Sequence, residues 1–470
     1  MFQDSPPHKV LLVQPNYAQG KRHTKYSVTP PLGLCYIAGL LEEKNIPVEI
    51  LDANALNLTV DDVLQKIAQI KPTIVGISIL MTGYKFAMQI AQKLPQNILS
   101  VAGGAYASAI PEEVISEGFD IAVKGRGEYV MLEIASGKSL DEIPGIFYRQ
   151  KNEIVINPPR PLEDLRSAPL PKPARHLLIN DGVNKPYRLA GTMYFPWAPV
   201  FTSIGCPYQC YWCSKKVFDR FLSRKPEDVV AEIKELIRNY RVKEIDIYDD
   251  CFNANLERAE KILDLLIKEN LNVKLRFPNG IRANNVNRSF MGKMKKAGCI
   301  EIAYGLESGD QEILDKIPKN LRLEDAQKAI KYTKDFGILT VGFFILGLRG
   351  DTEITMRKTI DFAKESEVDV AFFSILTPYP GTPLWSSIEK GGKFFIKDFD
   401  DLHQSGGKML FSHPDFPSPD LVARMQKKSY RDFYFSPQYL FRRLMRLRNW
   451  SYLTLNIRGL AEIIKTQFKK

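Results

Sequence analysis

Three cysteines stand close together in the middle of the chain, at Cys206, Cys210 and Cys213. Their spacing is C-x3-C-x2-C, and a short apolar segment that is typical of a β-strand precedes them. Thiolates in such groups bind zinc or iron–sulfur clusters. A zinc site usually draws on two ligand pairs, and the chain has no second cysteine pair and only 5 histidines. The spacing therefore favours an iron–sulfur cluster over zinc or three unrelated buried cysteines. Three thiolates on a four-iron cluster leave one iron open, and this iron can chelate a small molecule that carries an amine and a carboxylate.

Polar residues and glycines follow several of the later predicted strands. Asp249 and Asp250 are an anion pair, which suits hydrogen bonds from an amine. Arg282 follows the next strand, where it either meets a carboxylate or forms a surface ion pair. Since the carboxyl ends of barrel strands meet at one edge, these residues are expected near the cysteines.

The triplet resembles the signature of the radical S-adenosylmethionine (radical SAM) superfamily, including an aromatic residue just before the third cysteine. The resemblance implies a [4Fe-4S] cluster on the three cysteines and S-adenosylmethionine on its open iron. Gly342–Leu348 resembles the glycine motif of the family's fifth strand. It has Leu348 after its second glycine, Gly347, where the family usually has proline. The implied S-adenosylmethionine contacts are Trp212 near the adenine, Asp249 and Asp250 near the methionyl amine, Arg282 near the carboxylate, Glu307 and Ser308 near the ribose, and Gly342 and Gly347 beside the adenine.

The elements that must position these residues are alternating strands and helices. Between about residues 194 and 385, six apolar strand patterns alternate with helical ones, which predicts a partial (β/α)6 barrel of the TIM type. The predicted strands are Val200–Ser203, Glu244–Tyr248, Lys274–Phe277, Glu301–Tyr304, Leu339–Ile345 and Val368–Leu376.

A second series of strands and helices occupies the N-terminal part of the chain. Five short β-branched strands alternate with helical patterns such as Val60–Ile70, which predicts a Rossmann-like parallel sheet with helices on both faces. Ligands bind such sheets beyond the carboxyl ends of the strands. A predicted hairpin at Gly145–Pro158 and a proline-rich linker separate this series from the barrel.

This combination of domains resembles the cobalamin-binding subfamily of radical SAM enzymes over roughly residues 8–450. The resemblance implies that cobalamin binds at the strand ends of the N-terminal domain. The implied contacts are Pro31, Leu32, Gly33, Ser78, Leu80, Met81, Thr82, Gly103, Gly104, Ala105, Gly127 and Glu128.

The ligand of the cobalt's lower face is left open by the sequence. Many cobalamin proteins supply a histidine from D-x-H-x-x-G, which the N-terminal domain lacks. The resemblance implies binding without a protein histidine, with a residue of Ser78–Thr82, Leu80 or Met81, covering that face. His23 is an alternative ligand. A literal match from Asp401 through His403 follows the barrel without a parallel sheet behind it, and we interpret it as coincidence.

The other three cysteines, Cys35, Cys251 and Cys299, are expected to be small buried apolar residues. Cys251 directly follows Asp250 and is also a candidate for lining the active site.

The net charge of +11 is concentrated near the C-terminus. Residues 421–470 hold twelve Lys and Arg and two acidic residues, a balance of +10 that leaves +1 for the rest of the chain. With its aromatic residues, this region either caps the barrel or contacts a membrane surface. It carries no nucleic-acid-binding module, so no nucleic-acid partner is expected.

Targeting signals are not evident in the sequence. No apolar run reaches the ~18 residues of a membrane span, and residues 1–9 lack the apolar core of a secretory signal. We expect a cytoplasmic protein, at most peripheral to the membrane. The predicted domains are a cobalamin-binding domain at 1–142, a hairpin and linker at 143–190, the barrel at 191–390 and a basic, aromatic-rich region at 391–470.

The resemblance implies that S-adenosylmethionine is cleaved to a 5′-deoxyadenosyl radical and that methylcobalamin methylates an unactivated carbon. The substrate is expected to be a small or lipid-like molecule, and the electron is expected from a flavodoxin or ferredoxin type donor. Two alternatives stay open: an oxidative cyclase or ring-rearranging enzyme of the same subfamily, and a non-catalytic sensor or electron carrier.

Overall fold

A computed structural model describes residues 8–17, 27–151, 153–161, 170–214, 221–397, 399, 402 and 407–445. The chain divides into two compact units. The first comprises residues 1–190, 196–199 and 214–224, and the second comprises residues 191–195, 200–213 and 225–470. Within the described residues, every helix is too short or too polar to span a bilayer.

The first unit is built on a seven-stranded sheet. Its strands are β1 Val10–Gln14, β2 Val48–Asp52, β3 Ile74–Ser78, β4 Leu99–Gly103, β5 Ile121–Val123, β6 Ile146–Gln150 and β7 Glu153–Ile156. They lie in the order β2-β1-β3-β4-β5-β6-β7. The first five pair in parallel, whereas β6 and β7 form the predicted hairpin and extend the sheet beyond β5 in antiparallel pairing.

Helices cover both faces of this sheet because its strands are apolar on both sides. Val10 and Leu11, neighbours on β1 that point to opposite faces, are both fully buried. The second helix begins where it is predicted because Thr59 and Asp62 cap each other's backbone N–H groups. The helices are α1 Leu32–Glu43, α2 Val60–Ile70, α3 Tyr84–Lys93, α4 Gly104–Ala109, α5 Pro111–Ser116 and α6 Glu128–Ala135.

A second sheet has six strands: β8 Trp197–Val200, β11 Glu244–Ile247, β12 Lys274–Ile281, β13 Cys299–Glu307, β14 Leu339–Leu346 and β15 Val370–Ile375. Their order is β15-β14-β13-β12-β11-β8. The five strands from β11 to β15 form the core of the second unit. Two short strands, β9 Ser203–Ile204 and β10 Leu222–Ser223, lie between β8 and β11 along the chain. From β11 to β15 neighbouring strands pair in parallel, as expected for a partial barrel.

Helices alternate with these strands and pack on one face of the sheet. They are α7 Pro226–Tyr240, α8 Leu256–Lys268, α9 Arg288–Lys296, α10 Gln311–Asp315, α11 Leu323–Asp335 and α12 Glu353–Glu365. After β15 come α13 Pro383–Gly391, the short strands β16 Lys393–Phe394 and β17 Phe411–Ser412, α14 Pro419–Tyr434 and α15 Pro437–Met445. The predicted fold class, a Rossmann-like domain followed by a six-stranded partial barrel, is confirmed.

Several strand boundaries differ from the prediction. Strand β13 is Cys299–Glu307 instead of Glu301–Tyr304, and β15 is Val370–Ile375 instead of Val368–Leu376. The first barrel strand is Trp197–Val200, with Ser203–Ile204 as a separate short strand, instead of a single strand Val200–Ser203. Strand β12 runs on to Ile281, although Pro278 to Gly280 has the composition of a turn. The strand passes through this segment with a shift of register against β13 between Phe277 and Ile281.

Helix α14 caps the edge of the barrel sheet. The Tyr434 hydroxyl accepts a hydrogen bond from Ala371 N at 3.2 Å and donates one to Ala371 O at 2.9 Å. The Tyr430 hydroxyl accepts from Phe373 N at 3.3 Å, and Gln426 Nε2 donates to Phe373 O at 2.8 Å. The described part of the basic C-terminal region therefore satisfies backbone groups that an edge strand would otherwise expose.

Candidate active site

The loop that carries the three cysteines follows β9. Gly205 turns the chain out of the strand with φ +78°. All three cysteines are partly exposed, and none of them is in a disulfide bond. Burial raises the pKa of Cys210 to about 12; the Lys319 ammonium opposes this rise, and Glu307, Cys213 and Cys206 add to it. Among the described residues, no three His, Cys, Asp or Glu side chains group as ligands of a single metal ion.

Asp249, at the end of β11, anchors the chain that leads into this loop. Its carboxylate accepts hydrogen bonds from Thr202 N and Ser203 Oγ, both at 2.6 Å, and from the Thr202 hydroxyl. Burial raises the pKa of Asp249, whereas the bonds from Ser203 and Thr202 lower it. Both carboxylate oxygens thus hold the segment just before the cysteines, and the half-buried Asp250 follows.

Tyr208, between the first two cysteines, is held by Arg282. The guanidinium carbon of Arg282 lies 3.6 Å from the centre of the Tyr208 ring, within range of a cation–π interaction. Arg282 Nε also donates to Asn284 Oδ1 at 3.0 Å, and its Nη2 donates to Lys319 O. This places Arg282 directly behind the cysteine loop.

Lys319 links that arginine to the end of β13. Its Nζ donates to Glu307 Oε1 at 2.5 Å and to Gly305 O at 2.6 Å. Glu307 adopts a left-handed backbone conformation, with φ +61°. A connected series of contacts thus runs from the cysteine loop to a predicted S-adenosylmethionine contact, through Tyr208, Arg282, Lys319 and Glu307.

Helix α12 fixes the residues that follow Glu307. The Ser308 hydroxyl lies 3.2 Å from Thr359 Oγ1, which also accepts a hydrogen bond from Gly309 N at 3.0 Å. A side chain at Gly309 would come within 2.5 Å of the Cβ atom of Phe362. Only glycine therefore fits where the strand-end motif approaches the helix.

Tyr211 secures the second half of the cysteine loop. Its hydroxyl accepts a hydrogen bond from Arg349 N at 3.1 Å, and its carbonyl accepts one from Leu384 N at 3.0 Å. Two residues earlier, the turn after β14 has Gly347 at φ +88°, and Gly347 N donates to the buried Asp351. The loop is thereby connected to the predicted adenine motif.

Of the remaining barrel residues, Trp212 lies on the cysteine loop, Cys251 follows β11 and Gly342 lies within β14. Trp212 is half-buried and packs edge-on against Tyr211, with ring centres 4.7 Å apart. Gly342 is buried inside β14, where a side chain would come within 2.9 Å of the Phe344 ring. Cys251 is buried, its thiol is 3.6 Å from Asn253 Oδ1, and its pKa is raised to about 12 by burial and by Cys206.

In the first unit, the predicted contacts lie at the carboxyl ends of the strands. Pro31 precedes α1, which contains Leu32 and Gly33, while Gly127 precedes α6 and Glu128 begins it. A side chain at Gly33 or at Gly103 would meet no atom within 4 Å. These ends therefore leave open space directly above the backbone.

The loop after β3 is pinned to the loop after β4. Ile79 N donates to Gly103 O at 2.8 Å, and Tyr106 N donates to Ile79 O at 3.0 Å. Gly104, with φ +92°, would bring a side chain within 2.7 Å of Ile79 O. Beyond Ser78, the loop leaves Leu80 42% exposed, Met81 buried and Thr82 half-buried, so an apolar side chain stands free at the strand ends.

Family models match both units. The model of the radical SAM superfamily matches residues 200–363, and the model of the B12 binding domain matches residues 22–135. An uncharacterised methyltransferase of Pyrococcus horikoshii, PH0819, is 31% identical over 92% of this chain and 94% of its own length. The chain belongs to the B12-binding radical SAM family.

Other relatives differ in their reactions. An anaerobic magnesium-protoporphyrin IX monomethyl ester cyclase of Rubrivivax gelatinosus is 27% identical over 92% of this chain and 78% of its own. The cytidylyl-2-hydroxyethylphosphonate methyltransferase of Streptomyces wedmorensis is 26% identical over 90% of each chain. The radical S-adenosylmethionine methyltransferase TsrM of Kitasatospora setae, solved with cobalamin and a [4Fe-4S] cluster, shares the fold with TM-score 0.71, at 19% identity over 92% of this chain and 90% of its own.

The cofactors of this B12-binding radical SAM protein are a [4Fe-4S] cluster, S-adenosylmethionine and cobalamin, and its residues fit them. Three cysteines outside disulfides stand on one loop and can supply the thiolates of an iron–sulfur cluster. In the first unit, the open glycines and the exposed Leu80 leave room for a large ligand. Gln14 Nε2 and Asn54 Oδ1, at the ends of β1 and β2, are buried and have no hydrogen-bond partner among the described residues.

Several residues of this site were not predicted from the sequence. Tyr208 and Tyr211 could have been noticed because they flank the cysteines, but nothing local marks Lys319, Gln14 or Asn54. Three predicted or rejected residues, His23, Asp401 and His403, lie outside the described residues. The basic segment from residue 446 onward lies outside them as well.

Proposed function

We propose that this B12-binding radical SAM protein methylates an unactivated carbon of a small-molecule or lipid-like substrate. The observation that carries the proposal is the match of both units, in one chain, to a methyltransferase-named relative over 94% of that relative's length. Bound in these sites, the cluster and S-adenosylmethionine would supply a carbon-centred radical, and cobalamin would supply the methyl group.

In this reaction the protein would hold the cofactors in place and shield them from water. Tyr208 and Tyr211 would hold the loop in place between its cysteines, through Arg282 and Arg349. The Lys319 ammonium holds Glu307 in place for a polar contact at the ribose. Asp250 and Trp212, both half-buried, would contact the methionyl amine and the adenine.

In the first unit, the strand ends would hold cobalamin through backbone and short side chains. Gly33 and Gly103 admit the ligand close to the backbone, and Gln14 and Asn54 offer an amide donor and an amide acceptor to polar groups. Leu80 would cover the lower face of the cobalt with an apolar side chain, which offers no ligating atom.

A cyclase reaction is the second candidate, because the Rubrivivax gelatinosus relative covers 92% of this chain at 27% identity. Such an enzyme would share the radical step and would transfer no methyl group. For either reaction the electron would come from an external flavodoxin or ferredoxin type donor. Peripheral membrane contact would involve residues 421–470, where the positive charge is concentrated.

The proposal is tested with cofactor-loaded protein, a reductant, S-adenosylmethionine labelled on its methyl group, and extract of cells that lack the gene. We expect 5′-deoxyadenosine, S-adenosylhomocysteine and label in a new metabolite. Deoxyadenosine with an unlabelled new product would replace methylation by cyclisation or rearrangement. Absence of deoxyadenosine would indicate a sensor or electron carrier.

A further inference from the structure

The two faces of the barrel sheet carry different side chains. Phe344 and Phe373 stack with ring centres 5.3 Å apart, and both are fully buried, with Phe362 of α12 and Phe433 of α14 beside them. Because side chains alternate along a strand, their neighbours lie on the opposite, concave face. The concave face is the one that opens toward the lumen of a barrel.

On this concave face, β14 and β15 present an aromatic pair. Phe343 and Phe372 are register partners, and their ring centres are 5.6 Å apart. Phe372 is 46% exposed, unlike its fully buried neighbour Phe373. Their neighbour in the same row on β13 is Gly305, beside which the Lys319 ammonium and the Glu307 carboxylate lie.

The same face is acidic on its other side. Arg276 of β12 bonds to Glu301 at 2.7 Å, to Glu244 at 3.3 Å and to Asp246 at 3.5 Å, so one guanidinium serves three carboxylates. Asp246 Oδ2 and the hydroxyl of Tyr248, two residues further toward the carboxyl end, are buried without a hydrogen-bond partner among the described residues. Buried polar atoms of this kind normally find a partner in the working state.

We propose that the concave face selects a substrate with a flat apolar ring system and an amine. The ring system would stack on Phe343 and Phe372, and the amine would bond to the Tyr248 hydroxyl, with the carboxylate of Asp246 behind it. This inference rests on the proposed function, because it assigns a substrate class to the same barrel.

Charge and geometry both support this class. Three carboxyl groups around the guanidinium of Arg276 favour an N–H donor over an anionic group on that side of the sheet. Aromatic side chains contact flat rings better than saturated ones, because offset stacking brings the whole face into contact. The concave face ends at the carboxyl edge of the sheet, where Glu307 is the last residue of β13. A substrate bound on this face would therefore approach the predicted S-adenosylmethionine contacts.

The test measures binding of three probes to the cofactor-loaded full chain by equilibrium dialysis. The probes are 2-(2-naphthyl)ethylamine, 2-naphthylacetate and 2-cyclohexylethylamine, which separate the ring from the charge. The naphthyl amine should bind most tightly. Phe372→Ala should weaken it about tenfold and remove the preference over the cyclohexyl amine. Tyr248→Phe should weaken binding of the naphthyl amine and reduce its preference over the carboxylate, because the amine loses a hydroxyl acceptor while the carboxyl groups stay in place.

The matched control is Phe395→Ala, since Phe395 is 44% exposed but lies beyond the barrel sheet. It should bind all three probes as the unaltered protein does. Equal affinity for the three probes, or unchanged binding by Phe372→Ala, would overturn the proposal. Deoxyadenosine formation in the same preparation reports separately on the proposed function, because probe binding requires no S-adenosylmethionine cleavage.

Discussion

The guanidinium carbon of Arg282 lies 3.6 Å from the centre of the Tyr208 ring, and Tyr208 stands between two of the three cysteines. The cysteine loop therefore rests on a residue that follows β12, a strand distant from it in sequence. A cation in contact with an aromatic face contributes roughly 1–2 kcal/mol when partly desolvated. The cluster site should depend on this contact even though neither residue is a ligand.

Arg282→Ala should leave the cysteine loop less fixed and speed the loss of cluster iron to a chelator about tenfold. Tyr208→Phe keeps the ring and should behave like the unaltered protein. The control is Arg288→Ala, since Arg288 lies 5.5 Å over Phe336 but is surface-exposed. Equal iron-release rates for all three variants would show that the contact does not support the loop.

Lys319 and Glu307 form an ion pair of which only 11% of each side chain is exposed. Removing one partner of a buried pair leaves the other charge without compensation and costs about 3–5 kcal/mol. Lys319→Met should therefore lower the free energy of unfolding by about that amount, and Lys319→Met/Glu307→Gln should recover part of it. Urea titrations of the single and double variants measure the coupling.

The comparison pair is Lys234 and Glu269, 2.7 Å apart and largely exposed. Changing either of these residues to Ala should alter the free energy of unfolding by less than about 1 kcal/mol. A loss for Lys319→Met as small as this would argue against a structural role of the buried pair.

Tyr434→Phe removes a hydroxyl that both accepts from and donates to Ala371, on the edge strand β15. The N–H and C=O of Ala371 would then be buried without partners, which costs about 1–3 kcal/mol. We expect faster hydrogen exchange at Ala371 and a lower urea midpoint. Tyr194→Phe, at a 43% exposed tyrosine, should change neither.

The stability of the first unit should fall as the pH rises from 4 to 8. Burial raises the pKa of Asp52 to about 6, although hydrogen bonds from Ala55 and Tyr187 oppose the rise. Below pH ~4 the carboxyl is protonated in both the folded and the unfolded chain. Between about pH 4 and 6 the folded chain binds more protons, so stability is lost as the pH passes through the folded pKa, by about 3 kcal/mol in total.

Asp52→Asn should remove this component, so that the free energy of unfolding changes less between pH 4 and pH 8 than it does for the unaltered protein. Urea titrations at the two pH values measure the difference. Asp61→Asn, at an exposed residue of α2, should keep the original pH dependence. An identical pH dependence for Asp52→Asn would contradict the assignment.

Local sequence patterns sufficed for most of the fold. The bounds of helix α2 could be predicted because its capping residues and its apolar positions all lie between Thr59 and Ile70. Strand β12 was predicted too short because Pro278 and Gly280 indicate a turn, whereas pairing with β13 holds the strand together. Residues distant in sequence therefore decide whether this segment is a turn or part of the strand.

The same distinction applies to the site. The cysteine triplet is recognisable because its chemistry lies within eight residues. Lys319 was missed because its partners, Glu307 and Gly305, meet it only after β13 and the following segment have folded. Likewise, nothing in the sequence around Tyr434 indicates that its hydroxyl binds the backbone of β15.

The most direct test of the account is whether the three cysteines of the loop, and no others, hold a four-iron cluster. The measurement is iron content and the electron paramagnetic resonance spectrum after anaerobic reconstitution and reduction, with and without S-adenosylmethionine. The unaltered protein and Cys299→Ala should bind about four irons and show a spectrum that S-adenosylmethionine changes. Cys206→Ala, Cys210→Ala and Cys213→Ala should each lose that spectrum. A triplet variant that retains the full cluster signal and its response to S-adenosylmethionine would contradict the account.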